Sequence, residues 1–198
     1  MNFLAHAYLS ADDNMIMLGN LIADHVKGKA SSKYEDKILM GIKLHHLIDE
    51  YTDNHQVFRR SCQRIKAEYK KYASVVIDMF YDHFLAANWN SFSSQALKHF
   101  SSHCYMLLMH YHTLLPPKTK RILPYMIKYD WLASYAKLDF LARSLEGISR
   151  RTSFDSGIEK SINALKENYY EFEKDFFDFY PEIQAYVKKQ HSNIIQTS

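Results

Sequence analysis

His45, Asp49 and Asp53 follow one another at intervals of four, so one helix face would present an imidazole and two carboxylates in a row. Asp78 and Asp82 repeat the interval further along, with His83 beside Asp82, and His6 and Asp24 stand upstream. Nitrogen and oxygen donors converging from separate segments are what a divalent cation requires. The company these residues keep sharpens the point. Ile38, Ile42, His45 and Asp49 share one stripe, and Val75, Asp78, Met79, Asp82, Leu85 and Trp89 share another. Taken singly, each polar member reads as a solvated side chain, a cap or a satisfied core histidine. Together they put titratable groups on core-facing stripes that carry no lysine or arginine. Burial of that kind is costly unless the charge is paired or ligates a metal, so the pattern points to a metal or catalytic cluster.

The donor set narrows the chemistry. Two distant cysteines, Cys62 and Cys104, offer no Cys-x-x-Cys pair for structural zinc. No Glu has a His three positions later, as a di-iron bundle needs. Mixed His/Asp ligation suits Mn²⁺, Mg²⁺ or another divalent ion acting on phosphate. Neither phosphate-binding glycine fingerprint is present, and Gly-x-Ser-x-Gly is absent as well.

Helices must position these groups. The chain has 198 residues, 47% of them hydrophobic and 24% charged, with only 5 Gly and 4 Pro, which favours long helices and few turns. Periodicity places helices at about Asp13–Val26, Tyr34–Thr52, Val57–Tyr72, Ser74–Trp89 and Ser94–Leu115. Lys118–Leu145 holds one or two shorter helices, with Pro124 able to open the second, and Gly147–Ser156 reads as a loop. A last long helix, about Gly157–Tyr180, is expected to halt at Pro181, before a short helix and a tail frayed from about residue 190. The expectation is one all-α, multi-helix domain of seven or so helices spanning 1–198. The N-terminus does not read as a signal peptide and no apolar run is long enough to span a bilayer. With two cysteines and no disulfide framework, the expected compartment is the cytoplasm.

Five motifs now become recognisable: Met1-Asn2-Phe3-Leu4-Ala5-His6, Leu18-Gly19-Asn20-Leu21-Ile22-Ala23-Asp24, His45-His46-Leu47-Ile48-Asp49, Thr52-Asp53, and Tyr81-Asp82-His83-Phe84-Leu85 with Trp89. The chain resembles the acyl carrier protein phosphodiesterase family, a divergent relative of the HD-type metal phosphohydrolases, along nearly its whole length. Trp131 and Phe179-Tyr180-Pro181 also fit. His46 stands where an arginine is expected and His25 where an aromatic is common, and Asp82-His83 reverses the His-Asp order of an HD doublet. The resemblance implies an HD-like helical fold and hydrolysis of the phosphodiester between 4′-phosphopantetheine and a serine of acyl carrier protein, with Mn²⁺ as the metal. It implies Asp24, His45, Asp49 and Asp82 as ligands or their nearest neighbours. His6, Asp53, Asp78 and His83 would orient ligands or water, or shuttle protons.

Acyl carrier proteins are acidic, and a basic helix is available to meet one. Arg59, Arg60, Arg64, Lys66, Lys70 and Lys71 stand against a single Glu68, while Arg143, Arg150 and Arg151 form a second group. The last long helix is acidic. A net charge of +3 and no recognised motif argue against nucleic acid. The alternatives are an HD-like phosphohydrolase acting on a nucleotide or another small phosphodiester, and a non-catalytic helical binding module.

Overall fold

The computed structural model describes residues 1–10, 13–28, 33–152 and 156–196, and every regular element among them is helical. In chain order these are α1 (Phe3–Tyr8), α2 (Asn14–Ile22), α3 (Asp36–Asn54), α4 (Gln56–Tyr69), α5 (Ala73–Ala87), α6 (Leu97–His110), α7 (Pro117–Lys128), α8 (Trp131–Ser134), α9 (Leu138–Ser149), α10 (Ser161–Glu167) and α11 (Tyr169–Gln196). The all-α expectation holds. Among the described residues no helix is long and apolar enough to cross a membrane.

The position of α2 against α3 is set by two glycines. A Cβ built on Gly19 would lie 2.1 Å from the Ile38 carbonyl oxygen, and one on Gly41 would lie 2.1 Å from the Ile16 carbonyl oxygen. Backbone therefore meets backbone at this crossing, which only glycine at both positions allows. The start of α2 is fixed by Asp13, whose carboxylate accepts from the amides of Met15 and Ile16 and pairs with Lys37 at 2.8 Å. After Ile22 the chain tightens into a single 3₁₀ turn, Ala23–His25.

At the centre lies α5, buried on nearly every side from Val76 to Ala86. It also stabilises the start of α1. Asn2, at the N-cap, makes no side-chain cap bond. Asp82 of α5 supplies one from outside, accepting from the amides of Leu4 at 2.8 Å and Ala5 at 3.1 Å. Those amides have no partner within the helix, and their dipole favours an anion there. Around α5 one apolar cluster runs from Leu4 to Val187, much of it aromatic: Phe58, Phe80, Tyr81, Phe84, Phe172, Phe176, Phe179 and Tyr180 are all fully buried. On α4, Phe58, Ile65 and Tyr69 turn inward as their spacing predicts, and Ser61 joins them.

The second half departs from expectation. Pro124 lies inside α7 instead of opening a segment, and α8 and α9 follow. Gly147 to Ser149 belong to α9 and not to a loop, and residues 153–155 lie outside the described ones. The expected helix over 157–180 breaks at Asn168, whose backbone amide and side-chain amide both donate to the Ala164 carbonyl and so close α10. Pro181 does not halt α11, which runs on to Gln196. A proline removes one backbone bond, but Tyr180, Ile183 and Val187 are packed into the core on either side of it and hold the helix together. The tail expected to fray from about 190 is helical to Gln196, and residues 197–198 lie outside the described ones.

Replacing Gly41 by Ala should force α2 and α3 apart, lowering stability by about 1–3 kcal/mol despite alanine's better helix propensity. Thermal unfolding should show this as a Tm drop of about 2–10 °C. An unchanged or raised Tm would show that the crossing tolerates a methyl group.

Candidate metal centre

The glycine crossing brings α2 and α3 to where α1 ends, and three side chains converge there. His6, His45 and Asp49 each offer a ligand atom, and all of these lie within 4.8 Å of one another. Asp49 bridges the rings, with Oδ1 3.1 Å from His6 Nε2 and Oδ2 3.2 Å from His45 Nε2. Asp24, on the 3₁₀ turn, places Oδ1 3.2 Å from His45 Nε2 while its side chain stays 66% exposed. The two imidazoles stack, with centroids 3.9 Å apart.

Asn20, buried one residue after the crossing, fixes both rings from behind. Its side-chain amide donates to the His6 carbonyl and to Ser10 Oγ, each at 2.9 Å. Its Oδ1 is left to accept, from His6 Nδ1 at 2.8 Å and His45 Nδ1 at 3.1 Å. Each ring thus carries its proton on Nδ1 and turns Nε2 toward the carboxylates.

A neutral Nε2 facing a carboxylate oxygen is a lone pair facing a lone pair, which needs a proton or a cation between them. On His45 a proton serves: burial opposes it, but Asp24 and Asp49 hold the pKa up at about 9. On His6 burial wins and pushes the pKa down to about 4, so at neutral pH the Nε2 lone pair faces Asp49. Burial works to raise the Asp49 pKa, yet both imidazoles and the Met1 ammonium drive that carboxyl far below the usual range. Two Nε2 lone pairs and ionised carboxylates aimed at one point suit a divalent cation. The donor set fits the group that the family resemblance implies.

The remaining candidates are placed elsewhere. Asp78 lies beside the centre but pairs with the Met1 ammonium at 2.9 Å, and that ammonium also reaches Asp49 at 3.3 Å. Burial lifts Asp78 to about 6 against this ion pair. Asp82 is fully buried with both oxygens on the α1 amides, and burial raises it to about 7. His83 faces away, with Nδ1 donating to the Tyr135 carbonyl at 2.8 Å and Nε2 3.0 Å from the Tyr169 hydroxyl. Asp53 is exposed near the end of α3. Thus His6, Asp24, His45 and Asp49 come together, with Asp78 adjoining them, and Asp53, Asp82 and His83 do not join the cluster. Sequence reasoning gave Asn20 no role. Its only signal is a lone amide inside the apolar run Leu18–Ile22.

Of the basic residues on α4, three have partners within the fold. Arg60 Nη2 lies 2.5 Å and Arg64 Nε 3.1 Å from the buried Asp175 carboxylate of α11. Arg59 donates to the Asp53 carbonyl at 2.9 Å and to Asn54, closing the end of α3. Lys66 and Lys70 are exposed, and Lys71 lies over the Tyr72 ring.

All-helical among its described residues, with a His/His/Asp cluster whose imidazoles are oriented by a buried amide, the chain is of the class of helical hydrolases. It belongs to the acyl carrier protein phosphodiesterase family, whose model matches residues 1–183. It is 30% identical to the acyl carrier protein phosphodiesterase of Yersinia enterocolitica, with 93% of this chain and 96% of that protein covered. The protein of the same name from Serratia proteamaculans is 30% identical, with 95% and 98% covered. That from Photorhabdus laumondii is 31% identical, with 91% and 92% covered. No solved structure matches.

Loading a divalent ion onto both Nε2 atoms near pH 7 should displace about one proton, the one on His45. Affinity should therefore rise with pH and level off near 9, the pKa of His45. Calorimetric titration of Mn²⁺ in two buffers of different ionisation enthalpy measures the proton count, and a count of zero would refute this ligand set.

Proposed function

We propose that this chain hydrolyses the phosphodiester joining 4′-phosphopantetheine to a serine of acyl carrier protein, releasing apo-protein and 4′-phosphopantetheine. The reading rests on the convergence of His6, His45 and Asp49, with Asp24 at the solvent side. Family membership supplies the substrate class. His6, His45 and Asp49, with Asp24 nearby, would hold a divalent ion, for which Mn²⁺ is our choice ahead of Mg²⁺. When bound, such an ion neutralises phosphoryl charge and makes water more acidic.

The chain's own groups account for the rest. Asn20 keeps both imidazoles in one tautomer and leaves Nε2 free. Asp24 is exposed and ionised, since the His45 contact holds its carboxyl below the usual range. It is placed to take the proton of the attacking water as oxygen adds to phosphorus. The bond from phosphorus to the serine oxygen then breaks, and that oxygen takes a proton from solvent. Asp78 and the Met1 ammonium steady Asp49 from the side away from His45. The partner-facing cations are Lys66 and Lys70, because Arg59, Arg60 and Arg64 are already engaged within the fold. Two free cysteines fit the reducing cytoplasm.

Intact-mass spectrometry of holo-acyl carrier protein tests the reaction. The prosthetic group should be lost with Mn²⁺ and retained with EDTA, and Asp49→Ala should abolish the loss while the helical fold persists. An unchanged mass with folded, metal-loaded protein would refute the proposal, and turnover of free nucleotides in its place would favour the HD-like alternative. Lys66→Glu with Lys70→Glu should raise KM for the carrier protein about tenfold with little change in kcat. An unchanged KM would place docking on another face.

A further inference from the structure

Helix α9, with α8 and the start of α1, borders a pocket of about 700 Å³, within the range of small-molecule sites. Lys137, Phe140, Arg143, Gly147 and Arg151 recur at intervals of three or four, so α9 and the residues flanking it turn one face to this space. Trp131 and Ile148 join Phe140 in an apolar, half-buried wall. Lys137, Arg143 and Arg151 are exposed along it, and no carboxylate lines it. Among the described residues none of these three cations has an ion-pair partner, whereas the neighbouring Arg150 is engaged by Glu146 at 2.6 Å.

Gly147 is a second, independent sign. Gly19 and Gly41 are required by the backbone of a neighbouring helix, but a Cβ built on Gly147 would meet nothing within 4 Å. A glycine inside a helix is less stable there than alanine, and no contact within the chain requires this one. What its missing side chain leaves is bare α9 backbone at the pocket, where another molecule can approach closely. An apolar wall, uncovered backbone and three cations with no acid to neutralise them select an anion carried on an apolar body.

We propose that this pocket binds an amphiphilic organic anion, a phosphate or carboxylate head on an apolar body. The body lies against Trp131, Phe140 and Ile148 and passes over Gly147, while the head meets Lys137, Arg143 and Arg151. Three cations and no acid favour a phosphate monoester, which carries about two negative charges near pH 7, over a carboxylate with one. The site is separate from the His6, His45 and Asp49 centre. Its ligand brings its own anion, and neither a metal ion nor any step of the hydrolysis enters its binding.

The test is calorimetric titration of the full chain in EDTA with octyl phosphate, octanoate, octanol and inorganic phosphate. Tryptophan fluorescence is followed alongside, since Trp131 stands in the wall. Octyl phosphate should bind most tightly and octanoate next, each about tenfold or more ahead of octanol, with inorganic phosphate weak. The reverse order of the two amphiphiles would keep the site and assign it to carboxylates. Arg143→Glu with Arg151→Glu should lose about tenfold in octyl phosphate affinity. Gly147→Leu should lose a similar factor by filling the pocket and yet raise Tm by about 2–4 °C, an opposition that a merely structural glycine would not show. Equal affinity for octanol and octyl phosphate, affinities within about twofold of wild type in both variants, or binding only with Mn²⁺ present would each overturn the proposal. So would a chain that binds none of these probes and is a dimer broken by the arginine substitutions, which would give this face to a second copy.

Discussion

The close approach of α2 to α3 through Gly19 and Gly41 is the constraint on which the centre depends. With a side chain at either glycine, the helices would have to separate to make room for a Cβ that now has a carbonyl oxygen at 2.1 Å. Asn20 immediately follows the first glycine and His45 comes one turn after the second. Only at backbone contact can the Asn20 carbonyl and side-chain oxygens both reach His45 Nδ1, at 3.0 and 3.1 Å. The spacing between two helices thus becomes the orientation of a ring, and ring orientation decides where Nε2 points.

What the sequence made legible was the face and the element. His45 and Asp49 fall on one stripe at a helical interval, and both reach the centre. The same argument correctly buries Asp82, but burial does not say what a side chain meets. Asp82, expected at or next to a cation, meets the amides of Leu4 and Ala5, because α1 starts with an N-cap residue that does not cap. Periodicity carries no information about that long-range need. Asn20 was illegible for another reason: an amide does not titrate, and its value here lies in two acceptor bonds from rings on different helices. The prolines misled because their cost is local, while the packing that outweighs it around Pro181 comes from the whole length of α11.

The centre is also an electrostatic arrangement with a single orientation. Carboxylates from α3, the 3₁₀ turn and α5 surround two imidazoles and an ammonium, and the buried acids respond according to their company. Asp49, flanked by donors on both sides, stays ionised, whereas Asp78 and Asp82 are lifted toward neutrality by burial. Charge is therefore concentrated at the oxygens that face Nε2, and it thins out a single turn away on α5.

Helix α4 and the 3₁₀ turn that follows it carry cations of two kinds. Arg60 and Arg64 end on Asp175, a carboxylate only 2% exposed, whereas Lys66 and Lys70 end in open water. Mobile ions screen the second kind more strongly than the first, whose carboxylate is buried: the Debye length contracts from about 30 Å at 0.01 M salt to about 8 Å at physiological strength. Ionic strength is thus a one-sided control on this surface. It loosens the hold of the lysines on an acidic partner and leaves the α4–α11 seam closed, so a bound partner can be shed by salt from a molecule that keeps its shape.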